Sequence, residues 1–342
     1  MASAAQRKIK SISYAKYGYM FIAPFFIIYI IFQLWPLINT FRLSFYGNGK
    51  TLSDFLGVQN YQDILFGSET NRAARANHTM FFSYLKNTIM LWIGNFIPQL
   101  SLSLLLAVWF TEAKLKIPGK GIFKVIMYMP NIITAASVAS LFVMLFGSTA
   151  YGAINSLMID WGAYEEPVMF LTEATESRVL VMFIQTWMWF GNTMIMLMSG
   201  IMGINPSLFE AANIDGANSR QTFFKVTLPL LRPIMIYTLI TSMIGGLQMF
   251  DVPYLLHTGT TLNEYVQTVA VFVFEKFHKA PYSPSYGYSA AASVILFVIT
   301  SLLGMVVFYM NRDKDEIEQK KRLKKLKKQA KQKTTSFGGL DL

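Results

Sequence analysis

Residues 204–217 read Ile204-Asn205-Pro206-Ser207-Leu208-Phe209-Glu210-Ala211-Ala212-Asn213-Ile214-Asp215-Gly216-Ala217, and the chain runs on to Val226-Thr227-Leu228-Pro229-Leu230-Leu231-Arg232-Pro233. This polar island separates two strongly apolar stretches and reads as two short helices joined by a glycine. Asn205 is a good N-cap, and Pro206 occupies the first helical position, where its missing N–H costs nothing. Gly216 falls where a helix of about ten residues needs a left-handed exit, which glycine makes without steric penalty. A second segment starts at Asn218, another cap, and is expected to stop at Pro229. Leu208, Ala211, Ala212 and Ile214 lie along one side of the first helix, where small alanines let another backbone come close. Glu210 adds one charge beside them.

Working outward, the flanks decide the class. The chain has 342 residues, 53% apolar and only 14% charged, against about 25% charged in soluble domains. Its mean hydropathy is +0.38. Six runs lack Asp, Glu, Lys and Arg: 17–41, 87–111, 125–159, 179–209, 233–250 and 280–311. A spanning helix needs about 20 apolar residues. The fifth run has eighteen, but apolar character continues to Leu256. The expectation is an all-α membrane protein with six spans near 18–38, 86–110, 122–146, 180–203, 231–256 and 287–310. The longest loop, 42–85, then lies outside. The first run is too long for a cleaved leader and is followed by no small-x-small site, so it is read as an anchor. Pro24, Pro98 and Pro130 sit inside apolar runs, where neighbours can satisfy freed carbonyls.

The net charge of +11 would suggest nucleic acid in a soluble protein, but here the basic residues gather at the ends and between spans. Arg7, Lys8, Lys10 and Lys16 precede the first span, and Lys114, Lys116, Lys120 and Lys124 fill the second–third loop against Glu112. Eleven basic residues lie between Arg312 and Lys333. The third–fourth loop instead holds Asp160, Glu165, Glu166, Glu173 and Glu176, with Arg178 at its end. By the positive-inside rule both termini and the 204–230 loop are cytoplasmic, and no nucleic-acid partner is expected. The basic tail either meets anionic lipid, at about 1 kcal/mol per basic residue near the surface, or continues as a solvated stop-transfer helix.

Chemistry-bearing sets are scarce. There is no cysteine, and His78, His257 and His278 are scattered, so neither a metal set nor a nucleophile–base pair is expected. Gly47-Asn48-Gly49-Lys50-Thr51 ends like a phosphate-binding loop, but the required glycine five residues before Gly49 is Ser44. Polar groups inside spans are costly and so mark functional candidates. Gln185, Trp187, Trp189 and Asn192 cluster in the fourth run, Ser242 to Asp251 in the fifth, and Asn131 follows Pro130 in the third. Aromatic faces with amide and carboxylate hydrogen bonds suit a sugar. Interhelical packing by the same residue types is the alternative. Asp251 sits toward the outer end of its span, where a carboxylate costs less than the roughly 2.5–3.5 kcal/mol of the bilayer centre. It is read as either a hydrogen-bonding cavity residue or an interfacial charge, the second being preferred. The absence of clustered Arg and Lys argues against a phosphorylated substrate.

The spacing in the opening stretch carries a resemblance. Glu210-Ala211-Ala212, three residues, Gly216, nine residues and Val226-Thr227-Leu228-Pro229 is similar to the EAA loop of bacterial ABC-importer permeases, with Val for Ile as its one departure. Phe55 to Tyr61, Asn87-Thr88, Gly121-Ile122-Phe123 before Pro130, Tyr151 to Asn155, Leu255 to Gly259 and Tyr286-Gly287-Tyr288 resemble the sugar-permease branch. Pro24, Trp35-Pro36 and Ser44-Phe45 look like the maltose-transporter F subunit. Thr258-Gly259-Thr260-Thr261 departs from the branch's glycine-rich turn.

The resemblance implies a type I importer permease fold over 17–311, between a basic segment 1–16 and a basic tail 312–342. It implies a coupling role for Glu210, Ala211, Ala212, Asp215, Gly216, Leu228 and Pro229, docking a separate ATPase. It implies that Asn131, Trp187, Trp189, Asn192, Ser242, Gln248 and Met249 line a carbohydrate cavity. The implied partners are a second permease in a heterodimer, two ATP-binding subunits and an extracytoplasmic solute-binding protein. ATP and Mg would sit on the ATPase, leaving this chain with no cofactor and no catalytic residues, in the bacterial cytoplasmic membrane. A self-contained ion-coupled transporter is the competing reading. It predicts matching repeats and a buried ionisable pair, which the sequence does not display.

Overall fold

The computed structural model describes residues 15–47, 54–112, 117–147, 152–256, 263–278 and 285–310, with Arg322, Leu323 and Leu326. Arg7, Lys8, Lys10, Asn48 to Thr51, Lys114, Lys116, Tyr151, His257 to Thr261 and most of the basic tail lie outside the described residues. Among those described, the chain is helical apart from loops and one isolated bridge between Tyr46 and Phe55. Among the described residues five helices are long and apolar enough to span a membrane, six if a bent pair counts as one span. The chain divides into two compact units, residues 1–88 with 262–298, and residues 89–261 with 299–342.

In the first unit, Ala15–Tyr29 passes through a wide π turn, Ile30–Leu34, into Trp35–Leu43, and Pro24 does not end it. The most apolar stretch of this 28-residue span has 0% of its residues buried. A helix apolar all round suits lipid or another chain rather than water. The residues behind it are pinned by side chains. Asn60 is buried and donates to the carbonyls of Ser44, at 2.9 Å, and Tyr46, at 2.8 Å, while the Tyr61 hydroxyl donates to Ser44 Oγ at 2.6 Å. Gly287 lies so close to the Tyr46 carbonyl that a Cβ has no room. Asn87 donates to the carbonyls of Glu264, at 3.0 Å, and Gln267, at 3.2 Å, and Thr88 Oγ1 accepts from the Val269 N–H at 3.1 Å. These bonds fix the entry to the Val269–His278 helix. Phe81 and Phe272 meet edge-on at 5.8 Å in the unit's core.

The 42–85 segment is not the loop expected. It contains the helix Gln59–Leu65 and the start of a 40-residue helix, Arg72–Thr111. Arg72, Arg75 and Lys86 lie before the charge-free run yet within the helix, because a helix continuing past the bilayer carries charge freely. At 1.5 Å per residue it spans about 60 Å, twice a hydrocarbon core.

In the second unit, Leu106, Ala107 and Phe110 pack on Met194, Leu197, Met198, Ile201 and Leu231. Hydrogen bonds cross between the same helices. Gln99 Nε2 donates to Thr193 Oγ1 at 2.8 Å, Ser103 Oγ to the Phe190 carbonyl at 2.7 Å, and Thr186 Oγ1 to the Asn95 carbonyl at 3.1 Å. Such bonds and small residues hold membrane helices where apolar burial gives no preference. Gly191 of the Ala174–Met202 helix rests directly on the Met127 carbonyl.

The third span is not one helix over 122–146. Lys120–Tyr128 runs into a 3₁₀ turn, Met129–Ile132, and a new helix, Ala135–Leu145, leaves at 94°. Pro130 cannot donate to the ladder, and Thr134 Oγ1 caps the new helix by accepting from the Ser137 N–H at 3.3 Å.

Asn155 organises the following loop. Nearly inaccessible at 1% exposure, it donates to the carbonyls of Gly147, at 2.8 Å, and Val168, at 3.0 Å, and accepts from the Val168 N–H at 2.9 Å. Asn155→Ala leaves these buried groups unpaired, at about 1–3 kcal/mol each. The expected outcome is faster hydrogen–deuterium exchange confined to residues 152–170. Unchanged exchange there refutes the clamp.

Candidate functional site

The 204–230 segment folds from its caps. Asn205 Oδ1 accepts from the Ser207 N–H at 3.1 Å, Pro206 opens the helix Pro206–Ile214, and Gly216 turns the chain at φ +73°. Asn218 and Gln221 form a reciprocal capping box, with both bonds at 2.9 Å. The second arm then runs through Ser219–Thr222 and a π turn, Phe223–Thr227, into Leu228–Leu230. Pro229 does not end this arm, contrary to the sequence reading. The wide turn upstream moves the carbonyl that its ring would strike, and the chain turns at Leu231 instead.

No residue of Pro206–Ile214 is buried. Glu210, Ala211, Asp215, Gly216 and Pro229 are exposed, and Ala212 and Leu228 are half-buried. Ile214 is 86% exposed. The loop therefore presents small and apolar side chains outward, largely uncovered among the described residues.

A cavity of about 550 Å³ lies within the second unit, between three helices and a helix break. Trp92, Asn95 and Gln99 enter from Arg72–Thr111; Gln185, Trp189, Asn192 and Thr193 from Ala174–Met202; and Tyr237, Thr241 and Ser242 from Arg232–Leu247. That last helix ends at Leu247, and Asp251–Leu255 begins after Gln248, Met249 and Phe250, all of which line the cavity. Irregular backbone at membrane depth survives where protein or water satisfies it, and here it borders the open space. The Trp92 indole N–H donates to Ser242 Oγ at 3.3 Å, and its ring covers Gly246 so closely that no methyl fits between them.

Five of the seven residues expected at a substrate site line this cavity: Trp189, Asn192, Ser242, Gln248 and Met249. Asn131 instead donates to the Met188 carbonyl at 3.3 Å, and Trp187 packs on Phe142 with ring centroids 5.8 Å apart. Neither lines the cavity. Asp251, for which the sequence favours an interfacial charge over a cavity residue, is on the cavity wall, where the helix break brings it. Sequence reasoning missed Trp92, Asn95 and Gln99, although polar residues at spacings of three and four inside run 87–111 were a usable signal. The lining combines aromatic faces, amides and hydroxyls with one carboxylate, and among the described residues contains no Lys, Arg or His. Among the described residues no group of three or more acidic, His or Cys side chains could hold a metal.

Residues 88–314 match the model of the family described as binding-protein-dependent transport system inner membrane component. The chain is 28% identical to the lactose transport system permease protein LacF of Rhizobium radiobacter, over 92% of this chain and all of that one. It is 26% identical to the arabinooligosaccharides transport system permease protein AraP of Bacillus subtilis, over 89% and 92% of the two chains. In fold it is similar to a chain of a bacterial ABC transporter that imports the acidic polysaccharide alginate, with TM-score 0.72 and 23% identity, covering 89% of this chain and 97% of that one. A chain of a bacterial alginate ABC transporter in complex with an alginate pentasaccharide-bound periplasmic protein gives TM-score 0.72 at 23% identity, over 90% and 98% of the two chains. The apolar spans, the exposed loop and the family match agree: the chain is a multi-pass protein of the cytoplasmic membrane and belongs to the inner-membrane permeases of binding-protein-dependent ABC transport systems.

Proposed function

We propose that this chain is one permease subunit of an ATP-driven importer, and that its cavity passes a neutral carbohydrate, an oligosaccharide, across the cytoplasmic membrane. The observation that carries this is the lining of the 550 Å³ cavity: Trp92 and Trp189 for sugar C–H faces, Asn192 and Gln248 for hydroxyls, and among the described residues no cation to balance an anion. Relatives named for lactose and arabino-oligosaccharide transport support a sugar. Both termini and the 204–230 loop face the cytoplasm on this reading, with anionic lipid beside the basic end segments.

The loop is the coupling element. Glu210, Ala211, Ala212, Asp215 and Gly216 on its first arm, with Leu228 and Pro229 on its second, contact a separate ATPase that carries ATP and Mg. A second permease completes a heterodimer, two ATPases drive it, and an extracytoplasmic binding protein delivers the sugar. ATP-driven closure of the ATPases moves the loop and turns the cavity outward in alternating access.

The test is the reconstituted importer, assayed for ATP hydrolysis stimulated by the sugar-loaded binding protein. Trp189→Ala with Asn192→Ala is expected to cut that stimulation at least tenfold while the subunits still copurify. Loss of assembly instead makes the two residues packing elements. Sugar movement by the purified chain alone, without ATP, overturns the importer reading.

A further inference from the structure

The indole of Trp92 is held from three directions, all within the second unit. Its N–H donates to Ser242 Oγ at 3.3 Å. Its ring stacks on Phe96, one turn along the same helix, with centroids 6.1 Å apart and planes 25° from parallel. Its near edge lies on Gly246, where an added Cβ would overlap Trp92 Cδ1 and crowd Cγ and Cβ.

The neighbouring glycine is different. Gly245 lines the same cavity, and a Cβ there meets nothing within 4 Å. Glycine inside a helix is less favourable than alanine, and at 246 the close approach of the ring explains it. Gly246 is also the residue before the helix end at Leu247, and its carbonyl accepts from the Met249 N–H at 3.2 Å. The ring therefore rests on the turn that carries Gln248, Met249 and Asp251 to the cavity wall.

We propose that Gly246 and Ser242 are positioning residues that lock Trp92 in one orientation, with its N–H occupied, so that it meets a sugar by its face alone. An indole has one donor and no acceptor, so once Ser242 accepts that N–H the ring has no hydrogen bond left for a sugar hydroxyl. A ring fixed beforehand loses no rotational freedom when a solute lands on it. Ser242, expected from sequence to touch the substrate, acts on it through the ring. Selection at this wall then falls on the C–H surface of the solute, and its hydroxyls are left to Asn192 and Gln248. The sugar contact rests on the importer reading above; the lock on the ring does not.

The experiment labels the full chain with fluorotryptophan and records fluorine NMR spectra in nanodiscs, the Trp92 signal being the one lost in Trp92→Phe. Ser242→Ala and Gly246→Ala are each expected to shift and broaden that signal. Ser242→Thr, which keeps the acceptor, and Gly245→Ala should leave it in place. A signal unmoved in both Ser242→Ala and Gly246→Ala overturns the lock. The second reading is ATP hydrolysis by the importer, stimulated by its binding protein as isolated with its own sugar. Ser242→Ala is expected to cut that stimulation at least fivefold in the parent and less than twofold in Trp92→Phe, which has no N–H to hold. Equal cuts in both backgrounds mean that Ser242 touches the sugar itself and overturn its positioning role. A ring signal that moves as expected, in an importer that never responds to sugar, leaves the lock standing and refutes the importer reading.

Discussion

Gly216→Pro is expected to abolish uptake while the chain remains in the membrane and its cavity stays intact. Gly216 holds φ at +73°, and proline is locked near −65°. The two arms of the loop therefore cannot keep their relative direction. The replacement series separates conformation from contact, because a side chain at 216 would meet no atom within 4 Å. Gly216→Asn, which tolerates the left-handed region, should keep most uptake, and Gly216→Ala should pay roughly 1–2 kcal/mol of backbone strain and lose part of it. Glu210→Ala, which alters the exposed face without bending the backbone, should also reduce uptake severely. Radiolabelled sugar uptake in whole cells, normalised to membrane-inserted protein, measures all four variants. Full uptake by both Gly216→Pro and Glu210→Ala would remove the coupling assignment.

The second large effect concerns folding. Gly191→Leu is expected to eliminate extractable, monodisperse protein, and Gly191→Ala to lower the thermal midpoint sharply. At this position a Cβ would overlap the Met127 carbonyl and come against Tyr128 Cα, both main-chain atoms that cannot rotate away. Overpacking against side chains costs about 1–3 kcal/mol, and a main-chain obstacle exceeds that because a whole helix must shift. Gly121→Ala is the control. It lies on the neighbouring Lys120–Tyr128 helix with nothing within 4 Å of its Cβ, and should be neutral or stabilising by up to about 1 kcal/mol. Equal midpoints for the Gly191→Ala and Gly121→Ala proteins would mean that the two helices do not touch at Gly191.

What could be read from sequence was what is decided locally. The caps at Asn205 and Asn218 and the left-handed Gly216 depend on a few neighbours, and the structure has all three as expected. Charge-free runs located the spans because the bilayer penalises charge wherever the helix packs. The start of the second span was missed for the same reason: Arg72 lies beyond the penalised zone. The bend between Ile132 and Ala135 needed the Thr134 cap and the Gly191 contact in addition to Pro130, and contacts between distant segments leave no mark on a single run.

In the fourth span, helical phase decided which residues met. Gln185, Trp189, Asn192 and Met196 recur at spacings of four, three and four and share the cavity face. Trp187 is two residues from Trp189, about 200° around the helix, so it faces Phe142 instead. Counting aromatics without phase put both tryptophans in one site. The asparagines that carried the family resemblance, Asn60, Asn87 and Asn155, bind carbonyls of their own chain. They mark architecture, and they gave the resemblance its reach without indicating the solute.

Some of the cavity's polar side chains already have partners: Gln99 in Thr193, Trp92 in Ser242, and Asn95 in the carbonyl of Leu91 in its own helix. A hydroxyl entering there exchanges one satisfied arrangement for another, and such exchanges leave only about 0.5–1.5 kcal/mol per hydrogen bond. On the importer reading proposed above, occupancy is expected to be brief. A solute held at a dissociation constant near 1 mM gains only about 4 kcal/mol and leaves quickly once the exit opens. On that same reading, turnover is expected to depend on how fast the walls move rather than on how long the solute stays.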